Sequence, residues 1–558
     1  MPTWIARFAD RHRWLIFGGS LAALCAVYIG IEALYVNRVP LIADEFHGFA
    51  HILKLTRETP YRDFVPYKTI LGYYFQLIPA LFSDSPWWRL LYIKWSTALL
   101  TASLLATTAI LLRRIYHLRA IVGGLALLMA CSTFLERSAD LRLDMLTSLC
   151  GLLSLVFLLR AQVVWCGLLA GLSFLISQKG VYYIVAGSLA WNVGLFYRFR
   201  NRKTWSSSIV YHACVLAVIG TYFAVCSAIA SFDAVSQSVF SSGAKNIALQ
   251  ELYAFDWIRV FWVRSWSRNP LFYLLSVLSL GRLFALRDAQ HGDFKNLRLL
   301  AYGVTMLVVC MWHKQPWPYF LVILLPTLSL LIVDLLSAEI DARGRLSLPL
   351  MAAIVVFGVV LPLQRVPVVL ARDNNYQRYN VELASALLDK GDTYFAGVAM
   401  IASHEQQPPE LAWLDHPRGT TIKGWPRDRQ RALIERMEAH PPKLLIRNNR
   451  FKRLPKLLKK YLADHYKHFY GSVFTYRVLL QEGATDFNIP FKGHYRVSRS
   501  KDAPHGEWNN GKKIFFTKGK HTVLPQTSRI WLEFIPEGVD HLLWRKYRAS
   551  QELFPPDP

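Results

Sequence analysis

The chain has 558 residues, 53% of them hydrophobic and 14% aromatic, with a formal charge of +26. Its apolar residues gather in long blocks that stop near Val366, which excludes an ordinary soluble enzyme and marks a polytopic α-helical membrane protein. No nucleic-acid motif accompanies the basic excess, so the expected partner is the lipid bilayer and its anionic headgroups, with no role for nucleic acid.

The stretches Trp14 to Val36, Leu90 to Leu112, Ser208 to Ala230 and Leu346 to Leu363 reach or approach the ~20 residues needed to cross a hydrocarbon core. The same criterion predicts about eleven transmembrane helices in all. Asn37, Arg38 and Val39 follow the first span without a small-x-small cleavage pattern, so that span is expected to remain as an anchor. Basic clusters at Arg7, Arg11 and Arg13, at Arg113 and Arg114, and at Arg198, Arg200, Arg202 and Lys203 are expected on the cytoplasmic side. An odd number of spans then puts the C-terminal domain outside, in the periplasm of a Gram-negative cell.

Between the first two long spans, Ile42 to Ser85 carries charges, prolines and two short amphipathic stretches, and is expected to lie on the membrane as an external loop. It opens with Ala43-Asp44-Glu45-Phe46-His47. On a helix Asp44, His47 and His51 share a face, so Asp44 can serve as a base while His47 and His51 orient it or help hold a metal. The competing reading is a helix N-terminus that favours acids through its dipole.

A second short charged loop, Glu136 to Asp144, is expected on the same outer side. Its Arg137 and Arg142 suit bidentate phosphate binding, and Asp144 sits at the mouth of the next span; a self-satisfied salt-bridge loop is the alternative. Ser177-Gln178-Lys179-Gly180 separates two apolar stretches too brief to cross comfortably one by one, which places a lysine where it needs a partner or a wet cavity. Asp233 to Asn269 mixes Trp257, Phe261, Trp262 and Trp266 with Arg259, Arg264 and Arg268, which predicts an interfacial helix. His313-Lys314-Gln315-Pro316-Trp317-Pro318-Tyr319 closes the set of external motifs, as headgroup donors or as an aromatic belt.

After Pro367 the pattern becomes that of an α/β domain: a strand over Thr393 to Ile401, a helix over Asp428 to Ala439, a strand over Lys443 to Ile446, a helix near Leu454 to His465 and a strand over Val473 to Leu480. Short runs from Phe487 onward, separated by Asn-Gly and Lys-Gly-Lys turns, predict hairpins. The expected organisation is a catalytic membrane domain over 1–366, an α/β domain over 367–486 and a β-rich module over 487–558. All seven cysteines precede residue 367, so the C-terminal part is not held by disulfides.

In their order and placement these motifs resemble the bacterial branch of the GT-C glycosyltransferases that includes protein O-mannosyltransferase-like enzymes and the aminoarabinose transferases acting on lipid A. The matching residues are Asp44-Glu45, Pro60-Tyr61-Arg62-Asp63-Phe64 with Lys68, Arg142-Leu143-Asp144, Gln178-Lys179-Gly180, and Pro318-Tyr319 leading to Pro326. Gln178 stands where the family usually has Thr, and Met145 where a proline often follows the acid.

The resemblance implies inverting transfer of a sugar from a polyprenyl phosphate carrier to a glycan, glycolipid or protein acceptor, at the outer face of a bacterial cytoplasmic membrane. In that scheme Asp44 is the base, and Glu45 or Asp144 positions the acceptor or a metal. Arg62, Lys68, Arg137, Arg142, Lys179, Arg264, His313, Lys314 and Tyr319 serve the substrates. A divalent ion is permitted by the carboxylates and histidines without being specified. The chain has no Asp-x-Asp triplet and no Walker-type glycine loop, which suits a lipid-linked donor better than a nucleotide sugar. A transporter or flippase for a lipid-linked sugar is the alternative, for which internal repeats would speak; none is visible.

Overall fold

A continuous apolar stretch long enough to cross a bilayer core can satisfy its backbone within its own segment in lipid only as a helix. The computed structural model describes residues 3–66, 68–196, 202–241, 255–286, 294–313, 317–414, 422–499, 510–523, 528–539 and 553–554. Among these, five helices are long and apolar enough to cross a membrane: Trp14–Arg38, Pro86–Leu112, Trp205–Ile229, Phe294–Met311 and Leu348–Leu370. Shorter apolar helices, Leu118–Ala130, Leu143–Leu159, Val163–Ile176 and Pro270–Ala285, join them. The segment between the first two long spans folds as the two helices Ala43–Lys54 and Leu71–Ala80, and the aromatic and basic stretch as the helix Phe255–Arg268.

The chain divides into two compact units. The first holds residues 1–39, 54–82 and 90–372, and the second holds 40–53, 83–89 and 373–558. In the first, a continuous apolar core runs from Phe17 and Leu21 through Leu125, Phe134 and Leu152 to Leu328 and Val333. A chain of polar groups crosses it: Tyr28 donates to Ser138 Oγ at 2.8 Å, and Ser138 donates to Glu32 Oε1 at 2.8 Å. Lys94 lies 3.9 Å from Asp140.

The second unit is built on a mixed sheet. Strands β1 (Thr393–Phe395), β2 (Glu405–Gln406) and β3 (Leu444–Ile446) are parallel, in the order β2-β1-β3. Strand β5 (Val473–Leu480) continues the sheet antiparallel to β3, with β4 (Tyr466–Tyr470) also paired to β5. Beyond β5 come β10 (Ile530–Ile535), β7 (Gly493–Arg499) and β8 (Lys513–Phe516), so strands on both sides of residue 487 share one sheet. Strands β6 (Asp486–Ile489) and β9 (Gly519–Thr522) form a separate ladder.

The strand expected over Thr393 to Ile401 ends at Phe395, because Gly397 adopts φ +64° and turns the chain. The helices Asn375–Leu387, Arg427–Ala439 and Lys456–His465 belong to the same unit.

Candidate active site

In the first unit the chemistry gathers at a tight turn between two short apolar helices that pack antiparallel, with Trp191 Nε1 on the second 3.4 Å from Cys166 Sγ on the first. Val163–Ile176 has 14 residues, about 21 Å at 1.5 Å per residue, short of a ~30 Å core. A single 3₁₀ turn, Gln178–Gly180, follows before the chain resumes as the helix Val181–Phe196. The turn is held tightly. A side chain at Gly180 would put its Cβ 2.3 Å from the backbone nitrogen of Phe174, so glycine alone fits there. The turn projects Lys179 toward Asp144, which opens the helix Leu143–Leu159.

Asp144 is 1% exposed and doubly bound. Lys179 Nζ donates to its Oδ1 at 2.7 Å and Arg142 Nε to its Oδ2 at 2.9 Å. Lys68, just ahead of the helix Leu71–Ala80, adds its charge to the field around the same carboxylate. Lys179 and Arg142 thus flank one acid, with Lys68 contributing to the field around it. A lone buried carboxylate would be costly; here each charge is matched and aimed.

Aromatic rings wall the cluster. The Arg142 guanidinium lies 3.4 Å from the centre of the Tyr319 ring, and Lys179 Nζ lies 5.4 Å from Tyr319 and 5.3 Å from Phe320. His313 stacks on Phe320, with ring centres 3.9 Å apart, and its Nδ1 meets the Tyr182 hydroxyl at 2.7 Å. Burial, reinforced by the nearby Lys179, pushes His313 down to about 3, so it is a neutral imidazole. Phe320 and Tyr182 had no signal in a sequence this rich in aromatics.

The remaining expected residues of this unit take varied places. Arg137 faces Asp140 at 3.5 Å within the loop, whereas Glu136 lies 3.0 Å from Arg365 and 3.7 Å from Arg268, so the loop is tied by ion pairs to other segments as well as to itself. Arg62 is exposed and pairs with Asp63 at 2.9 Å; its hydrogen bonds hold that carboxyl at about 2. Arg264 is exposed on its interfacial helix. Lys314 lies outside the described residues, as do Gln315 and Pro316.

Asp44 belongs to the second unit, on the helix Ala43–Lys54. Its neighbour Glu45 is buried, and its Oε2 accepts a hydrogen bond from the Ile42 backbone N–H at 2.8 Å. Glu45 therefore closes the start of the helix, as an acid three places past the N-cap does. Asp44 is partly exposed in the same first turn, where the helix dipole favours its charged form. His47 and His51 follow on its face, with ring centres 4.5 Å apart, and His51 Nδ1 lies 3.0 Å from the His47 carbonyl oxygen. Among the described residues no three His, Cys, Asp or Glu side chains gather as metal ligands do.

No protein-family model matches the chain, and no curated protein matches it in sequence. Solved structures do match. ArnT from Cupriavidus metallidurans bound to undecaprenyl phosphate has a TM-score of 0.58 at 12% identity, over 83% of this chain and 97% of that one. The apo state of the same protein gives 0.57 at 12% identity, over 82% and 98%. The Archaeoglobus fulgidus oligosaccharyltransferase in complex with Zn and sulfate gives 0.50 at 11% identity, over 81% and 72%. At these identities the likeness establishes architecture, and the chain is a membrane protein with the GT-C fold.

Proposed function

We propose that the protein is an inverting glycosyltransferase that moves a sugar from a polyprenyl phosphate carrier to a glycan, glycolipid or protein acceptor. The reaction takes place at the extracytoplasmic face of a bacterial cytoplasmic membrane, with the C-terminal unit in the periplasm. The observation that carries this reading is the cluster of Lys179 and Arg142 on the buried Asp144, at the turn between two short apolar helices, in a chain with the GT-C fold. ArnT, one of the structures of that fold, is described with undecaprenyl phosphate bound.

In this reading the acceptor hydroxyl oxygen attacks the anomeric carbon while the bond from that carbon to the carrier phosphate breaks. Asp44 takes the hydroxyl proton, and the phosphate oxygen leaves with the bonding electron pair. Lys179 and Arg142, oriented by Asp144, stabilise the charge that grows on the phosphate, with Lys68 adding to the field. Tyr319 keeps Arg142 in place through its ring face, and neutral His313 holds Tyr182 and Phe320 against the Lys179 turn. Arg264, Arg62 and Lys314 are assigned to headgroup or carrier contacts, and Glu45 to the geometry of the Asp44 helix.

The test is to delete the gene and compare surface glycans, glycolipids and glycoproteins by mass spectrometry, then restore wild-type or Asp44→Asn protein. The proposal expects a lost mass increment that wild type restores and Asp44→Asn does not. An unchanged profile on deletion, or full restoration by Asp44→Asn, contradicts it.

A further inference from the structure

The helix that carries Asp44 is built into the C-terminal unit, although more than three hundred residues separate them in the chain. A carboxamide holds the chain just ahead of it. Gln377, on the helix Asn375–Leu387, is 2% exposed. Its Oε1 accepts from the Leu41 backbone N–H at 2.7 Å, and its Nε2 donates to the Leu41 carbonyl at 2.8 Å. The amide thus pairs with the main chain of Leu41 as a neighbouring strand would. The same Nε2 donates to the Leu553 carbonyl at 2.5 Å, which ties a third segment to the knot.

Two ring contacts lie on either side of this clamp. Phe46, fully buried, meets the edge of Phe554 with ring centres 5.9 Å apart. His47 packs against Trp413 at 4.3 Å; Arg450 lies 4.5 Å from the same indole and donates to the Leu414 carbonyl at 2.7 Å. The residues before and after Asp44 are therefore fixed from three directions by residues 377–554.

We propose that Gln377 is the positioning residue for Asp44, and that the C-terminal unit is part of the catalytic apparatus. The inference rests on Asp44 being the base. Glutamine suits the position because one neutral side chain supplies both the acceptor for Leu41 N–H and the donors for two carbonyls. A glutamate would offer no donor and would face both carbonyl oxygens with a buried charge. Orientation of a catalytic group is worth large factors in rate, and a shift of ~1 Å costs on the order of 100-fold.

The experiment uses the full-length protein in nanodiscs. It combines hydrogen exchange, binding of undecaprenyl phosphate, and transfer of radiolabelled sugar from a polyprenyl-phosphate-sugar extract into envelope material of the deletion strain. Gln377→Leu keeps the volume and removes the amide. We expect faster exchange confined to residues 40–54, kcat lowered on the order of 10- to 100-fold, and KM for the donor extract and undecaprenyl phosphate binding unchanged. Phe554→Ala, at a site that tolerates truncation more readily, should move the same readouts in the same direction by less.

Unchanged exchange at 40–54, unchanged kcat, or a parallel loss of undecaprenyl phosphate binding in these variants would overturn the inference. Asp44→Asn separates this from the underlying reading. If it still transfers sugar, the base assignment fails whatever Gln377 does. If it is inactive while Gln377→Leu turns over normally, only the positioning role falls.

Discussion

The two acids that matter most sit in opposite surroundings. Asp144 is sealed among membrane helices with both oxygens engaged by cations, whereas Asp44 lies partly exposed at the start of a helix in the other unit. The first arrangement spends its charge on holding Lys179 and Arg142 in place; the second keeps a carboxylate accessible to a proton. One site is organised by ion pairs and should lose stability along with function when cut. The other is organised by backbone caps and should fail chemically while the fold survives.

Breaking the sealed site should give the largest effect on stability. Lys179→Met strips one oxygen of the buried Asp144 of its cation while Arg142 keeps the other, so the cost should approach, without exceeding, the about 3–5 kcal/mol of a buried pair that loses its partner. Thermal unfolding in detergent should drop accordingly, and undecaprenyl phosphate binding should be lost with it. Gly180→Ala strikes the same turn from the other side. The new methyl would clash with the backbone at Ser173 and Phe174, an overpacking cost of about 1–3 kcal/mol, and donor affinity should fall although no charge has been removed.

The open site should respond differently. Asp44→Asn is expected to cost about 10²–10⁴-fold in transfer, the range for loss of a general base, with an unfolding midpoint within error of wild type. Glu45→Ala removes the cap on Ile42 N–H and should cost about 0.5–2 kcal/mol, with activity lowered through helix disorder and partly restored by Gln at the same position.

The smallest effect concerns pH. Because His313 titrates near 3 in the fold and near 6.5 when unfolded, its neutral form is the one the fold favours. Its contribution is complete above about pH 6.5 and is lost as pH falls toward 3. Wild type should therefore lose more stability than His313→Gln over that interval, and the pH profile of transfer should show no step from His313 between pH 5 and 8.

Much of this was legible before the fold was known, for physical reasons. Lys179 stands out because a charge between apolar stretches demands a partner, and Asp144 because an acid at the mouth of a span does. Which partner each one takes was not legible, since the pair is 35 residues apart and the contact depends on where two helices end. The short apolar length of Val163–Ile176 announced the turn, but the packing that makes Gly180 obligatory needs the neighbouring backbone. Val473–Leu480 was readable to the residue because its strand pattern is bounded by turn residues. The helix Asn375–Leu387 was missed, since its polar face masks the period and nothing in the sequence ties Gln377 to Leu41.

The central claim is that Lys179, Arg142 and Asp144 form the seat of the carrier phosphate. Its most direct measurement is undecaprenyl phosphate binding to purified wild type, Arg142→Leu and Asp144→Asn in nanodiscs, with unfolding followed on the same samples. Saturable binding by wild type, weakened at least tenfold in both variants while each remains folded, is the predicted result. Equal affinity in all three would contradict it.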